Sequence, residues 1–263
     1  MGNTDYTIVM RPRGKRREPT RGGIESGAAL IYGWHSALAA LRNPRRRIRK
    51  LLATPNALQR LSDLGIPDLP PPAEASEIDR LAGAGAVHQG IAVLCDPLPE
   101  PELDELADAE LLLVLDQVTD PRNVGAILRS AAAFGCNALV LTERHGPADS
   151  GVLAKAASGG LEHVALARVK NLARALGELA ELGFHRLGLD SAHADPLESV
   201  DASGKIALVL GAEGKGLRRL TRENCDRLVR IDLPGPIKSL NVSNAATLAL
   251  FAIRRSVPKP PFS

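Results

Sequence analysis

A chain of 263 residues, 44% hydrophobic and 24% charged, is long enough for one large domain or two modest ones with real cores. No apolar run approaches the ~18–20 residues of a membrane span, and the polar, basic N-terminus lacks the apolar segment of a secretory signal, so a cytoplasmic protein is expected. Cys95, Cys136 and Cys225 lie far apart and out of CxxC spacing, and the six histidines form no HExxH or i,i+4 pair, which argues against a disulfide framework, a zinc knuckle and a structural metal.

A net charge of +3 and a pI near 8.9 are mild for a nucleic-acid binder, but the charge is segregated. Residues 11–21 hold six bases and one acid, residues 42–50 six bases and no acid, and residues 96–110 seven acids and no base. Such blocks read either as a basic arm and patch for phosphate followed by an acidic linker, or as a solvated tail and face.

Residues 1–26, poor in apolar side chains and scattered with Gly, Pro and Arg, read as a disordered basic tail. From Leu30 the stretch IYGWHSALAALRN sets Trp34, Leu38 and Leu41 on one helical face, which makes Trp34 a core residue rather than a platform for base stacking. A basic lead-in and short strand (45–54), a helix (56–64) closed by Gly65, a proline-rich loop (66–73), a helix (74–82) and a strand (90–94) follow. Residues 27–96 thus form a small α/β domain, joined by the acidic linker 97–110 to a second domain, 111–257. Strands are predicted there at 111–116, 138–142, 163–169, 185–190, 206–211 and 227–233, most of them separated by helical segments. That alternation is the mark of a parallel sheet covered on both faces.

Three stretches carry the chemistry. LDQVTDPRNVGAILRSAAAFG (115–135) is a strand end followed by Asp120 and Pro121 as N-cap and first helical residue, with Gly135 closing the helix. LVLGAEGKGL (208–217) runs a strand into Gly211, Gly214 and Gly216, which hold the acid Glu213 among them. IDLPGPIKSLNVSNAATLALF (231–251) ends a strand at Leu233, turns through Pro234, Gly235 and Pro236, and starts a helix after Asn241 with Val242, Ala246, Ala249 and Ile253 as its apolar stripe. Ser239, Asn241 and Ser243 at that helix start are either caps or part of an anion site. The glycines serve a tight turn, close backbone approach to a ligand, or both. Neither GxGxxG nor GxxxxGK[ST] is present: Lys15, Lys205 and Lys215 follow glycines but precede Arg16, Ile206 and Gly216.

In order and nearly throughout, these three stretches resemble the signature motifs of the SpoU/TrmH family of RNA ribose 2′-O-methyltransferases. Through IYGWHSALAAL and VHQGIAVL, residues 27–96 are similar to the L30e/L7Ae-like RNA-binding domain that precedes the catalytic domain in bacterial rRNA methyltransferases of that family. The resemblance implies an α/β fold with a SPOUT-type parallel sheet, a deep trefoil knot from about Ile206 onward, and a homodimer. It implies S-adenosylmethionine as cofactor, bound at Gly211, Ile231 and Leu240 without a metal. The reaction implied is methyl transfer to the ribose 2′-hydroxyl of a guanosine in 23S rRNA; a tRNA guanosine 2′-O-methyltransferase and a non-catalytic RNA-binding ribosome assembly factor are the alternatives. The matching polar positions are Asn123, Arg129, Glu213, Ser239 and Asn241, with Arg129 the principal catalytic residue. Because a guanidinium keeps its proton, with a pKa above ~12, holding a phosphate and the developing oxyanion suits Arg129 better than acting as base. Arg122, two turns earlier on the same stripe, is expected to add a phosphate contact. With aromatics at 3% of the chain, RNA is expected to be held by charge and shape. The division into domains also predicts that a chain starting near Asp104 folds and binds cofactor by itself.

Overall fold

The computed structural model describes residues 27–83, 85–144, 150–191, 195–200 and 203–256; the basic tail at 1–26 and residue 257 lie outside them. Two sheets organise the chain. The first contains β1 (Ala29–Tyr32), β2 (Ile48–Ala53) and β3 (Ile91–Cys95) in the antiparallel order β1-β3-β2. The uninterrupted run IAVLC puts β3 at the centre, buried along its whole length. Helices α1 (Trp34–Arg42), α2 (Pro55–Asp63) and α3 (Ala75–Ala82) complete this unit. Strand β1 is absent from the sequence reading, which saw only the helical face that follows it. Gly33, at φ 88°, makes the switch from strand to helix in a backbone region that a side chain disfavours. The inward face of α1 is Trp34, Ala37 and Ala40, with Leu38 and Leu41 at the margin. Trp34 is a core residue, and Arg60 lies 3.6 Å over its ring.

The second sheet has seven strands: β4 (Leu111–Asp116), β5 (Ala138–Thr142), β6 (Ala165–Val169), β7 (His185–Leu189), β8 (Asp195–Pro196), β9 (Ile206–Gly211) and β10 (Arg227–Arg230). Every pairing in it is parallel, in the order β6-β5-β4-β9-β7-β10-β8. Because side chains alternate along a strand, Leu111, Leu113 and Leu115 face one way, toward α4 (Pro121–Ala133), α5 (Gly151–Ala157) and α8 (Val242–Ser256). Leu112 and Val114 face the other, toward α6 (Leu172–Glu181) and the buried side chains of residues 103–109, with α7 (Arg219–Glu223) beside α6. Strands β4, β5 and β9 begin and end where their apolar runs do. Strand β6 starts later than expected because Gly160–Glu162 forms a 3-10 turn. Strand β10 stops at Arg230 rather than 233, since its neighbours offer no partner beyond Val229 and Arg230.

Of the three charged segments singled out in the sequence, 11–21 lies outside the described residues and the other two are tied down. In the acidic one, Leu103, Leu106 and Ala109 enter the core of the second sheet, and Glu100 pairs with Arg168 at 2.7 Å. In the basic one, Arg46 turns inward to Glu162, meeting Oε1 at 3.0 Å with both side chains no more than 4% exposed. Asn43 Nδ2 donates to the same carboxylate at 2.6 Å. Nearby, Ser36 Oγ donates to the Ala154 carbonyl at 2.8 Å, and a Cβ on Gly151 would stand 2.3 Å from the Tyr32 ring. The two sheets are therefore packed through a largely buried contact, and a chain starting near Asp104, expected to fold by itself, would lose Leu103 and uncover α5.

Removing one partner of a buried ion pair strands the other charge in a low-dielectric site, at a cost of about 3–5 kcal/mol. Glu162→Ala is expected to destabilise the chain by that amount in urea unfolding, with Glu162→Gln milder. A loss below about 1 kcal/mol, the usual ceiling of a solvated pair, would show that the contact is open to water.

Candidate active site

With all strands parallel, their carboxyl ends share one edge, the place where open α/β sheets bind ligands. Strand β4 there leads into α4, β9 into the loop 212–217, and β10 into the loop 231–241. The loop after β9 closes on itself. Ala212 bridges Gly216, a Cβ on Gly211 would stand 2.2 Å from the Gly216 carbonyl carbon, and Gly214 and Gly216 adopt φ 75° and 62°. Its own turn geometry demands these glycines, so the tight-turn reading of them holds.

Between this loop, the loop after β10 and the end of β7 lies a cavity of about 300 Å³. Gly211, Ile231 and Leu240 line it together, as do Glu213 and Ser239. The walls also include Asp190 and Arg222, an ion pair at 2.7 Å whose carboxylate is almost fully buried. Neither stood out in the sequence, because Asp190 becomes a wall residue only through the register of β7 beside β9, and Arg222 only through the placement of α7.

Asn123, Glu213 and Asn241 meet in a single cluster. Glu213 Oε1 accepts from Asn123 Nδ2 at 3.0 Å, from Asn241 Nδ2 at 2.5 Å and from the Val242 N–H at 3.3 Å. Asn241 Nδ2 also donates to Asn123 Oδ1 at 3.0 Å. One carboxylate thus fastens the start of α4, the loop after β9 and the start of α8. Asn241 is at the same time a cap, its Oδ1 accepting from the Ser243 N–H at 2.9 Å. Arg129 is not brought into this cluster. It is exposed on the outer stripe of α4 with Arg122, about a third of a helical turn round from Asn123. Among the described residues its guanidinium has no hydrogen-bond or ion-pair partner. The cysteines offer no nucleophile: burial pushes the Cys136 and Cys225 thiols up to about 12, in spite of the nearby Arg254 and Arg186.

Residues 110–251 match the SpoU rRNA Methylase family. The chain belongs to that family. Over 245 residues it is 40% identical to the 23S rRNA (guanosine-2′-O-)-methyltransferase RlmB of Ralstonia nicotianae, which covers 88% of this chain and 97% of that protein. Over 259 residues it is 36% identical to an uncharacterised tRNA/rRNA methyltransferase of Mycolicibacterium vanbaalenii, covering 96% of this chain and 77% of the relative. The crystal structure of the SpoU methyltransferase AviRb from Streptomyces viridochromogenes, in complex with AdoMet, matches with a TM-score of 0.74 at 22% identity, over 88% of this chain and 90% of that one. At that identity the likeness is one of fold. In this SpoU chain all three motif stretches pass through the carboxyl edge of the sheet.

Groups that share one acceptor do not contribute independently. Glu213→Ala and Asn241→Ala are each expected to cost about 1 kcal/mol, and the double variant less than the sum. A denaturant double-mutant cycle measures this. Strict additivity would mean that the cluster is not formed in solution.

Proposed function

We propose that this SpoU protein transfers the methyl group of S-adenosylmethionine to the ribose 2′-hydroxyl of a guanosine in 23S ribosomal RNA, in the cytoplasm and as a homodimer. The reading is carried by one arrangement: a cavity walled by Gly211, Ile231 and Leu240, joined through Glu213 to Asn123 and Asn241. It occurs in a chain 40% identical to RlmB across 97% of RlmB.

The cavity fits the cofactor. Its volume of about 300 Å³ is at the lower end of small-molecule sites, and Leu189, Leu210, Ile231, Leu233 and Leu240 give it apolar walls beside polar ones. When bound, S-adenosylmethionine supplies an electrophilic methyl group on a positively charged sulfur. Since that charge disappears as the methyl leaves, walls of this kind penalise the reactant more than the transition state. Arg129 and Arg122, exposed on one stripe of α4, are proposed to hold an RNA phosphate and the developing 2′-oxyanion. Asn123 and Ser239 are proposed to orient the ribose, while Glu213 and Asn241 keep the loops in register.

The first sheet and its helices, residues 27–96, are proposed as the L30e/L7Ae-like RNA-binding domain, followed by the packed acidic segment 97–110 and the methyltransferase domain 111–257. The trefoil knot is proposed for the latter, where β9 enters the sheet between β4 and β7. Exposed Leu248 and Phe251, adjacent on the outer stripe of α8, support a self-complementary dimer contact.

Calorimetry in chelator-treated buffer is expected to detect S-adenosylmethionine or S-adenosylhomocysteine binding; binding only with added metal would remove the reading. Arg129→Ala is expected to lower single-turnover methyl transfer by roughly 100-fold or more, the range for losing a transition-state donor, with fold and cofactor affinity kept. Arg129→Lys should also fail, since an ammonium does not reproduce a planar bidentate contact. Rates near wild type in either variant count against this role.

A further inference from the structure

Of the basic residues between 42 and 50, Arg46 is buried against Glu162 and Arg49 pairs with Asp96, while Arg47 and Lys50 make only solvated pairs with Asp96 and Glu77. A second group of cations stands at the carboxyl edge of the seven-stranded sheet. Arg144 lies just past β5, Lys170 between β6 and α6, and Arg218 and Arg219 at the start of α7. All four line one cleft of about 520 Å³ together with Thr142 and Asn171, and among the described residues no acidic side chain is in its walls.

We propose that this cleft holds phosphates of the RNA strand flanking the modified nucleotide. The proposal rests on the methyltransferase reading for the identity of the polyanion. Arg144 and Lys170 are exposed, and among the described residues neither side chain has a hydrogen-bond or ion-pair partner. Arg218 is pre-positioned: its Nε meets Asp116 Oδ1 at 2.6 Å and its N–H meets Oδ2 at 2.9 Å, while 45% of its side chain stays exposed. Arg219 shares its charge with Glu223 in a solvated i,i+4 pair, which constrains it little. The first turn of α6, capped by Asn171, adds the positive end of a ten-residue helix. Among the described residues Leu172, Ala173, Leu220 and Thr221 accompany these groups, none of them an aromatic ring that could stack a base. Such walls suit a sugar-phosphate backbone, which guanidinium and ammonium groups bind without reading sequence.

Location supplies the second argument. Strand β4 alone separates β5 from β9, so the cleft lies about 10 Å along the edge from the cofactor cavity, two strand spacings of ~4.8 Å. Arg218, bound to the end of β4, stands between them. On this proposal a strand whose ribose reaches the Asn123–Glu213–Asn241 cluster runs along the same edge, and its neighbouring phosphates meet these cations.

The test compares wild type with the double variant Arg144→Ala/Lys170→Ala, using a transcribed fragment of 23S rRNA as the probe. Each lost phosphate contact should lower the slope of log affinity against log salt by about 0.7–0.9, so the double variant should lose roughly 1.5. Affinity near 0.1 M salt should fall about tenfold or more. Melting temperature and S-adenosylmethionine affinity should stay put, and methyl transfer should recover at saturating RNA. Arg144→Lys/Lys170→Arg should bind nearly as wild type. Arg174→Ala, which removes an exposed cation from the same α6 outside the cleft, is the matched control. Unchanged RNA affinity and slope in the double variant, or an equal loss with Arg174→Ala, overturns the proposal. Failure of wild type to bind S-adenosylmethionine would instead sink the methyltransferase reading, and RNA affinity would still decide on the cleft.

Discussion

The parallel pairing of β4 with β9, running from Leu111 beside Ile206 to Asp116 beside Gly211, is the contact on which the rest of the site depends. It brings two segments that are far apart in sequence to the middle of one sheet and ends them at adjacent points. From those points α4 and the loop 212–217 depart side by side, which is why Glu213 reaches Asn123. The pairing also leaves Asp116 fully buried at the strand end, where a carboxylate is tolerated only with partners. Arg218 supplies them through its side chain and its main-chain N–H, and so binds the exit of the β9 loop back to β4.

Glu213 belongs to two structures at once. It lines the cavity beside Gly211, and its carboxylate oxygen collects donors from Asn123, Asn241 and Val242. The loop 212–217 is thereby fastened to the starts of α4 and α8 through a single carboxylate oxygen.

Charge in this chain divides by burial rather than by sequence block. The densest basic run contributes Arg46 to a buried contact with Glu162 that holds the two sheets together, while Arg47, Arg49 and Lys50 pair with Asp96 and Glu77 nearer the surface. Arg122, Arg129, Arg144 and Lys170 sit singly in the sequence, yet project from the second sheet's layers with exposed side chains. Among the described residues none of these four side chains has an ion-pair partner, which leaves them available to a polyanion.

The apolar runs LLLVLD, ALVLT and IALVLG by themselves determined β4, β5 and β9 to the residue, because a strand buried on both faces must be apolar throughout. The cap Asp120, followed by Pro121, marked the start of α4 equally well, since capping is a matter of neighbouring residues. The joint placement of Gly211, Ile231 and Leu240 followed from two of the three motifs, each at a strand end, and from their resemblance to one family. What no local pattern contained was the order of strands, the inward turn of Arg46, the packing of Leu103 in a segment that reads as linker, and the Asp190–Arg222 pair in the cavity wall. Each of these is settled by a partner distant in the chain. Burial, which decides whether a charge is a surface group or a structural one, exists only after the sheets have closed on each other.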